Sequence, residues 1–194
     1  MHSRTIGALV ALALALPVTA QAEDFGYSFV DLALVPGAEV EVGNGDIDGD
    51  GFQLRGSLVV NQTFFALVEL QDLEFDGGID TTRWMVGAGG HWPINNTLDI
   101  IGRAGVVRLD ADAGNFDDDD TGVFLGGRVR ANVAPRVEVE GGVEYVSAEV
   151  FDAGDDVYLV GEGRYHFTPQ FSAGALLNVG GDTQQVGVYG RFNF

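Results

Sequence analysis

A chain of 194 residues with 29 Asp and Glu against 10 basic residues, all of them Arg, carries a formal net charge of −19 and has no cysteine. That charge excludes a nucleic-acid partner, because phosphate binding needs a basic surface, and the absence of cysteine excludes a disulfide framework. At 46% hydrophobic the chain is also too apolar for an acidic disordered protein.

The N-terminus reads as an export signal. Arg4 supplies a short positive region, Ile6–Val18 is an apolar run too short to span a bilayer as a helix, and Ala20-Gln21-Ala22 gives a small-x-small cleavage site. Cleavage after Ala22 leaves Glu23–Phe194 as one domain, one unit more negative than the full chain because Arg4 is lost.

From there the pattern has period 2, in segments of about ten residues. Ten strands are predicted: Phe25–Val35, Gly51–Val60, Thr63–Gln71, Thr81–Trp92, Thr97–Leu109, Thr121–Val133, Arg136–Ala148, Val157–Phe167, Phe171–Val179 and Gln185–Phe194. Their connections alternate in kind. Asn61-Gln62, Pro93–Asn96, Ala134-Pro135 and Thr168–Gln170 are short. Pro36–Asp50, Asp72–Asp80, Asp110–Asp120, Glu149–Asp156 and Gly180–Gln184 are mostly longer, rich in Asp and Gly, and hold 20 of the 29 acids. Short turns at one end and long loops at the other are the layout of a closed antiparallel transmembrane β-barrel. Strands of this length span a bilayer when tilted. An even strand number puts both termini on the short-turn, periplasmic side.

Strand parity identifies the face that meets lipid. In Arg83–Trp92 one face carries Trp84, Val86, Ala88, Gly90 and Trp92, and the two Trp stand about 26 Å apart along the strand at roughly 3.3 Å per residue. That spacing, shortened by tilt, suits two aromatic girdles. The same parity turns seven Arg inward: Arg55, Arg83, Arg103, Arg128, Arg130, Arg164 and Arg191. Seven acids turn inward with them: Asp31, Glu69, Asp99, Glu138, Glu140, Glu144 and Glu162. A soluble barrel would place charge outside and apolar groups inside. This pattern is the reverse.

The final segment, QVGVYGRFNF, sets Val186, Val188, Phe192 and Phe194 on one face and departs from a regular apolar row at Gly190. It resembles the C-terminal signature read by the barrel assembly machinery. With the export signal and the hairpin layout, the chain is similar to the small outer-membrane β-barrel superfamily of OmpA- and OmpX-type proteins, without the peptidoglycan-binding domain. FGYSFVDLAL, GGHWPI and GRFNF look closest to small surface barrels of environmental and plant-associated proteobacteria. Members typically have eight strands, so eight is the alternative to ten. The resemblance implies a Gram-negative outer-membrane location among lipid and lipopolysaccharide.

No catalytic, cofactor-binding or metal-binding residue is assigned. GDIDGDGFQL, Gly45–Leu54, begins like a calcium loop with Asp46, Asp48, Asp50 and Gly51, but a bidentate carboxylate is needed at its last position, where Ser57 stands. It reads as an acidic loop with weak divalent-cation association. His91 and His166 fall at the periplasmic strand ends, pointing inward, away from the outer rim where surface chemistry on lipid would occur. The sequence therefore predicts a non-enzymatic surface barrel presenting acidic loops, with a small cation-preferring channel as the alternative.

Overall fold

The computed structural model describes residues 25–42, 45–114, 117–148 and 156–194. The expected signal peptide, residues 1–22, lies outside them, as does most of the expected loop Glu149–Asp156. Ten antiparallel strands form the wall: β1 (Phe29–Val42), β2 (Gly45–Val59), β3 (Phe64–Phe75), β4 (Ile79–Asn95), β5 (Leu98–Asp112), β6 (Asp117–Ala134), β7 (Val137–Val146), β8 (Asp156–His166), β9 (Phe171–Gly180) and β10 (Thr183–Asn193). Each pairs with its sequence neighbours, and β1 pairs with β10 from Phe29↔Asn193 to Val40↔Thr183, which closes the barrel. Closure leaves no strand edge, the condition for spanning hydrocarbon with strands. Ten strands are confirmed over eight.

The wall is uneven in height. Strands β1 to β6 run 12 to 18 residues, whereas β7 to β10 run 10 or 11. About ten residues suffice to cross the membrane, so the first three hairpins rise above it. Here the predicted boundaries need correcting. Pro36–Asp50 and Asp110–Asp120 were expected to be loops, yet β1 continues to Val42, β2 begins at Gly45, and β6 begins at Asp117. The pairs Val40↔Ile47 and Asp110↔Asp119 extend the ladders. A bulge between Val35 and Ala38 absorbs Pro36, which has no amide hydrogen to donate, and resets the parity beyond it. The extension is held by an inward apolar cluster of Val35, Ala38, Leu73 and Phe75, with Val40, Ile47 and Ile79 against it.

At the periplasmic end the turns are tight. Asn61 Oδ1 accepts from the amides of Thr63 and Phe64, and Asn95 Oδ1 accepts from the Thr97 amide and hydroxyl. Both asparagines are therefore engaged in closing turns, the ordinary role of Asn there.

Outward faces match the predicted lipid face. Val30, Leu32, Leu34, Trp84, Val86 and Trp92 are all exposed, and so are Val123, Leu125 and Val129 on β6. Phe171, Phe192 and Phe194 cluster at the periplasmic rim, with Tyr165 against Phe167 beside them. An exposed apolar belt of this extent is stable only against lipid. Leu125→Arg should therefore cost about 2–4 kcal/mol of barrel stability in bilayers and lower insertion, while Leu125→Ala is nearly silent; urea unfolding in lipid vesicles measures both.

Candidate functional site: lumen and outer collar

Inside the wall, the fourteen charged groups predicted to face inward do so. Asp31 is 2% exposed and accepts from Arg55 at 2.8 Å and from Arg191 at 2.9 Å. Glu140 gathers three guanidiniums: Arg128 at 3.0 Å, Arg130 at 2.8 Å and Arg164 at 3.2 Å. Glu162 pairs with Arg55 and approaches Arg128 and Arg164, and it accepts the Tyr189 hydroxyl at 3.0 Å. Glu138 bridges Arg130 and Arg164, Glu144 bridges Arg103 and Arg128, and Glu69 bridges Arg83 and Arg103.

The register explains these contacts. Arg130 stands directly opposite Glu140, and Arg55 lies between Asp31 on one neighbour and Glu69 on the other. Such side chains are within cross-strand reach. Four of the guanidiniums also lie against rings: Arg191 is 3.6 Å from the Phe29 ring centroid, Arg130 is 4.5 Å from that of Tyr27, Arg55 is 4.9 Å from that of Tyr189 and Arg103 is 5.2 Å from that of Phe124.

Asp99 is the exception, because it meets no guanidinium within ion-pair distance. Its partners are the Tyr27 hydroxyl, which donates at 2.7 Å, and His91 at 3.3 Å. Tyr27 was expected to lie within the first strand. That strand instead starts at Phe29, and the segment before it turns into the periplasmic mouth. The Tyr27 ring is sandwiched between His91, 4.0 Å away, and Phe65, 5.3 Å away. Gly89 is opposite Phe65 because a Cβ there would collide with the ring. This plug was not legible in the sequence, since Phe25 and Tyr27 have the same parity as the inward residues of the strand. His166 lies at the same end of its strand and meets Glu138 at 3.2 Å.

Toward the outer end of the lumen, amide side chains join the charged groups. Gln71 donates to Gln185 at 3.0 Å, and Gln53 donates to Glu69 at 2.7 Å. A cavity of about 50 Å³ lies among Arg55, Arg128, Arg130, Arg191, Ser57 and Phe65. Another of about 20 Å³ shares Arg55, Glu69, Arg128 and Glu162 with it, so one layer of ion pairs separates the two. Met85, Phe124 and Tyr189 are buried in the lumen as well.

A second feature lies outside the wall. Above the apolar belt, outward carboxylates occupy directly paired positions on five successive strands: Asp50↔Glu74, Glu74↔Asp80, Asp80↔Asp112 and Asp112↔Asp117. Glu39↔Asp48 continues the theme on β1 and β2. Like charges directly opposite one another are destabilising, and among the described residues none of the five in the row is in an ion pair. Arg108, at the level of Trp84, pairs with Asp110 at 2.6 Å and Asp119 at 3.1 Å, outside the row. The alternation of Asp46, Asp48 and Asp50 that resembled half a calcium loop is thus the outward face of a strand.

A charged interior with an apolar exterior, closed by β1–β10 pairing, decides the class. The chain has an outer-membrane β-barrel fold. No protein-family model and no curated protein sequence matches it. Among solved structures, it resembles the β domain of the Bordetella autotransporter BrkA, with a TM-score of 0.53, 10% identity, and coverage of 88% of this chain and 100% of that one. The translocator domain of the autotransporter NalP from Neisseria meningitidis matches with a TM-score of 0.50 and 13% identity, covering 97% of this chain and 94% of that one. Ail, the attachment invasion locus protein of Yersinia pestis, gives a TM-score of 0.46 and 17% identity over 87% of this barrel and 100% of its own chain. At these identities the likeness is one of fold.

The lattice predicts a stability pattern. Removing one member of a buried charge pair costs about 3–5 kcal/mol, more than replacing both members by neutral groups. Arg130→Met should destabilise the barrel in urea, and adding Glu140→Gln should recover part of the loss. The recovery should stay partial because Glu140 also holds Arg128 and Arg164.

Proposed function

We propose that the protein is a non-enzymatic barrel of the Gram-negative outer membrane whose role lies in its outer surface. The observation that carries this reading is the outward acidic row across β2 to β6, at the height where lipid headgroups begin. The ion-paired lumen supports it, because an interior filled with bridged side chains supplies rigidity more readily than passage. Lipopolysaccharide presents phosphates at the same height. Two anionic surfaces can adjoin only if divalent cations bridge them, so the partners of the collar are Mg²⁺ or Ca²⁺ and, through them, lipopolysaccharide phosphate. The cations are held diffusely along the row. The β1–β2 hairpin, which continues beyond the collar, then presents Glu39, Asp46 and Asp48 to the outside.

The test compares the wild-type barrel with Glu74→Gln/Asp80→Asn/Asp112→Asn in lipopolysaccharide-containing vesicles. Chelation of divalent cations should lower the thermal midpoint of the wild type and leave the variant nearly unchanged. Without divalent cations the variant should be the more stable, since each relieved like-charge pair contributes about 0.2–1 kcal/mol. Equal responses to chelation in the two proteins would contradict the proposal. Planar-bilayer recording addresses the channel alternative: the scaffold reading predicts silence, and steady cation-selective steps would replace it with a small channel.

Assembly supplies a further proposed partner. Val186, Val188, Phe192 and Phe194 are exposed on the outward side of β10 and its end, in the arrangement the barrel assembly machinery would read. Deleting Phe194 should reduce the heat-modifiable folded form in outer membranes, and unchanged yields would remove the machinery from the account.

A further inference from the structure

At the short-turn end of the barrel, one arginine holds a backbone conformation that its side chain does not favour. β6 and β7 are joined through Pro135-Arg136, a turn closed by the pair Ala134↔Val137. Arg136 has φ 65°, whereas every other left-handed residue described is a glycine: Gly77, Gly78, Gly114 and Gly181. A turn with Pro at its second position and a left-handed residue at its third takes Gly or Asn there without strain. An arginine in that place is strained, and its side chain must return something that glycine cannot supply.

Nothing among the described residues supplies it. Arg136 is exposed and is the one described arginine outside an ion pair. The other outward arginine, Arg108, is engaged by Asp110 and Asp119, and the remaining seven belong to the lumen lattice. The short turns carry no Asp or Glu, and the acids nearest this rim, Asp99 and Glu138, are buried inward. The exposed charge at this rim is therefore positive, opposite in sign to the acidic row at the other end.

The membrane boundary runs through the same place. Val137 pairs with Tyr165, and the His166 amide donates to the Arg136 carbonyl at 2.9 Å. Arg136 thus stands beside Tyr165 and Phe167, whose exposed rings meet edge to face at 5.2 Å. Outward rings of this kind mark the level where hydrocarbon gives way to headgroups. The anion at that level is a phospholipid phosphate, and a guanidinium matches phosphate with two parallel hydrogen bonds. We propose that Arg136, with the rings of Tyr165 and Phe167, forms a docking site for a phospholipid of the periplasmic leaflet. The guanidinium takes the phosphate, and the rings lie against the start of the acyl chains. The site is independent of the outer collar, from which the height of the apolar belt separates it.

The experiment titrates phosphatidylglycerol into the refolded barrel in non-ionic detergent and reads bound lipid by native mass spectrometry. Wild type should retain one molecule above background, and Arg136→Gly should bind it about tenfold more weakly, the loss of a hydrogen bond between charged groups. Arg136→Lys should keep part of the affinity, because it has the charge without the planar fork. Glycine relieves the left-handed strain, so Arg136→Gly should melt no lower than wild type in detergent without lipid. A lower thermal midpoint there would overturn the proposal by making Arg136 a structural part of the turn. Equal phosphatidylglycerol affinity in wild type and Arg136→Gly would overturn it as well, as would displacement of the lipid by an equal concentration of inorganic phosphate.

Discussion

Seven guanidiniums and seven carboxylates enclosed by a ten-stranded wall must neutralise one another, and the rest of the molecule is arranged around that requirement. In the described structure the solution is bridging, not simple pairing: Glu140 serves three arginines, and Asp31 holds two from adjoining strands. Bridging ties non-adjacent strands together. Arg55 on β2 meets Glu162 on β8 across the lumen, a contact the backbone ladder cannot make. The wall's hydrogen bonds fix each strand to its neighbours, and the lattice fixes opposite sides of the barrel to each other.

That division made much of the fold legible in the sequence. Ten strands, their order and the lipid face follow from period 2 and from where the charges fall, because an unpaired charge in hydrocarbon is costly enough to be excluded at nearly every outward position. The partners were legible only where turns were short. The short turn Ala134-Pro135 places Arg130 opposite or diagonal to Glu138 and Glu140, and in the structure it stands opposite Glu140 and also reaches Glu138 at 3.3 Å. Contacts across the lumen, such as Arg55 with Glu162, depend on barrel diameter and tilt, which alternation does not encode.

Strand ends were the least legible feature, for a physical reason. Asp and Gly disfavour strands, so Pro36–Asp50 reads as loop by composition. Yet Ala38-Glu39-Val40-Glu41-Val42 alternates, and Ile47 stands between acids on the facing strand. Ala38, Val40 and Ile47 meet Leu73, Phe75 and Ile79 in one cluster, and that packing outweighs propensity. The collar follows from the same extension: once the acidic segments are strands, their side chains fall into register and become a row. Tyr27 was hidden differently. Its parity fits the strand it precedes, and only the His91 and Phe65 rings show that the chain has turned into the mouth.

The account stands on the inverted faces, charge within and lipid without, and the absence of cysteine makes them directly measurable. Single cysteines at each position from 123 to 130 of β6, spin-labelled in the refolded barrel in bilayers, report collisions with membrane-dissolved oxygen. Oxygen accessibility should peak at positions 123, 125, 127 and 129 and fall at 124, 126, 128 and 130. Peaks at the even positions, or no two-residue period, would contradict the account.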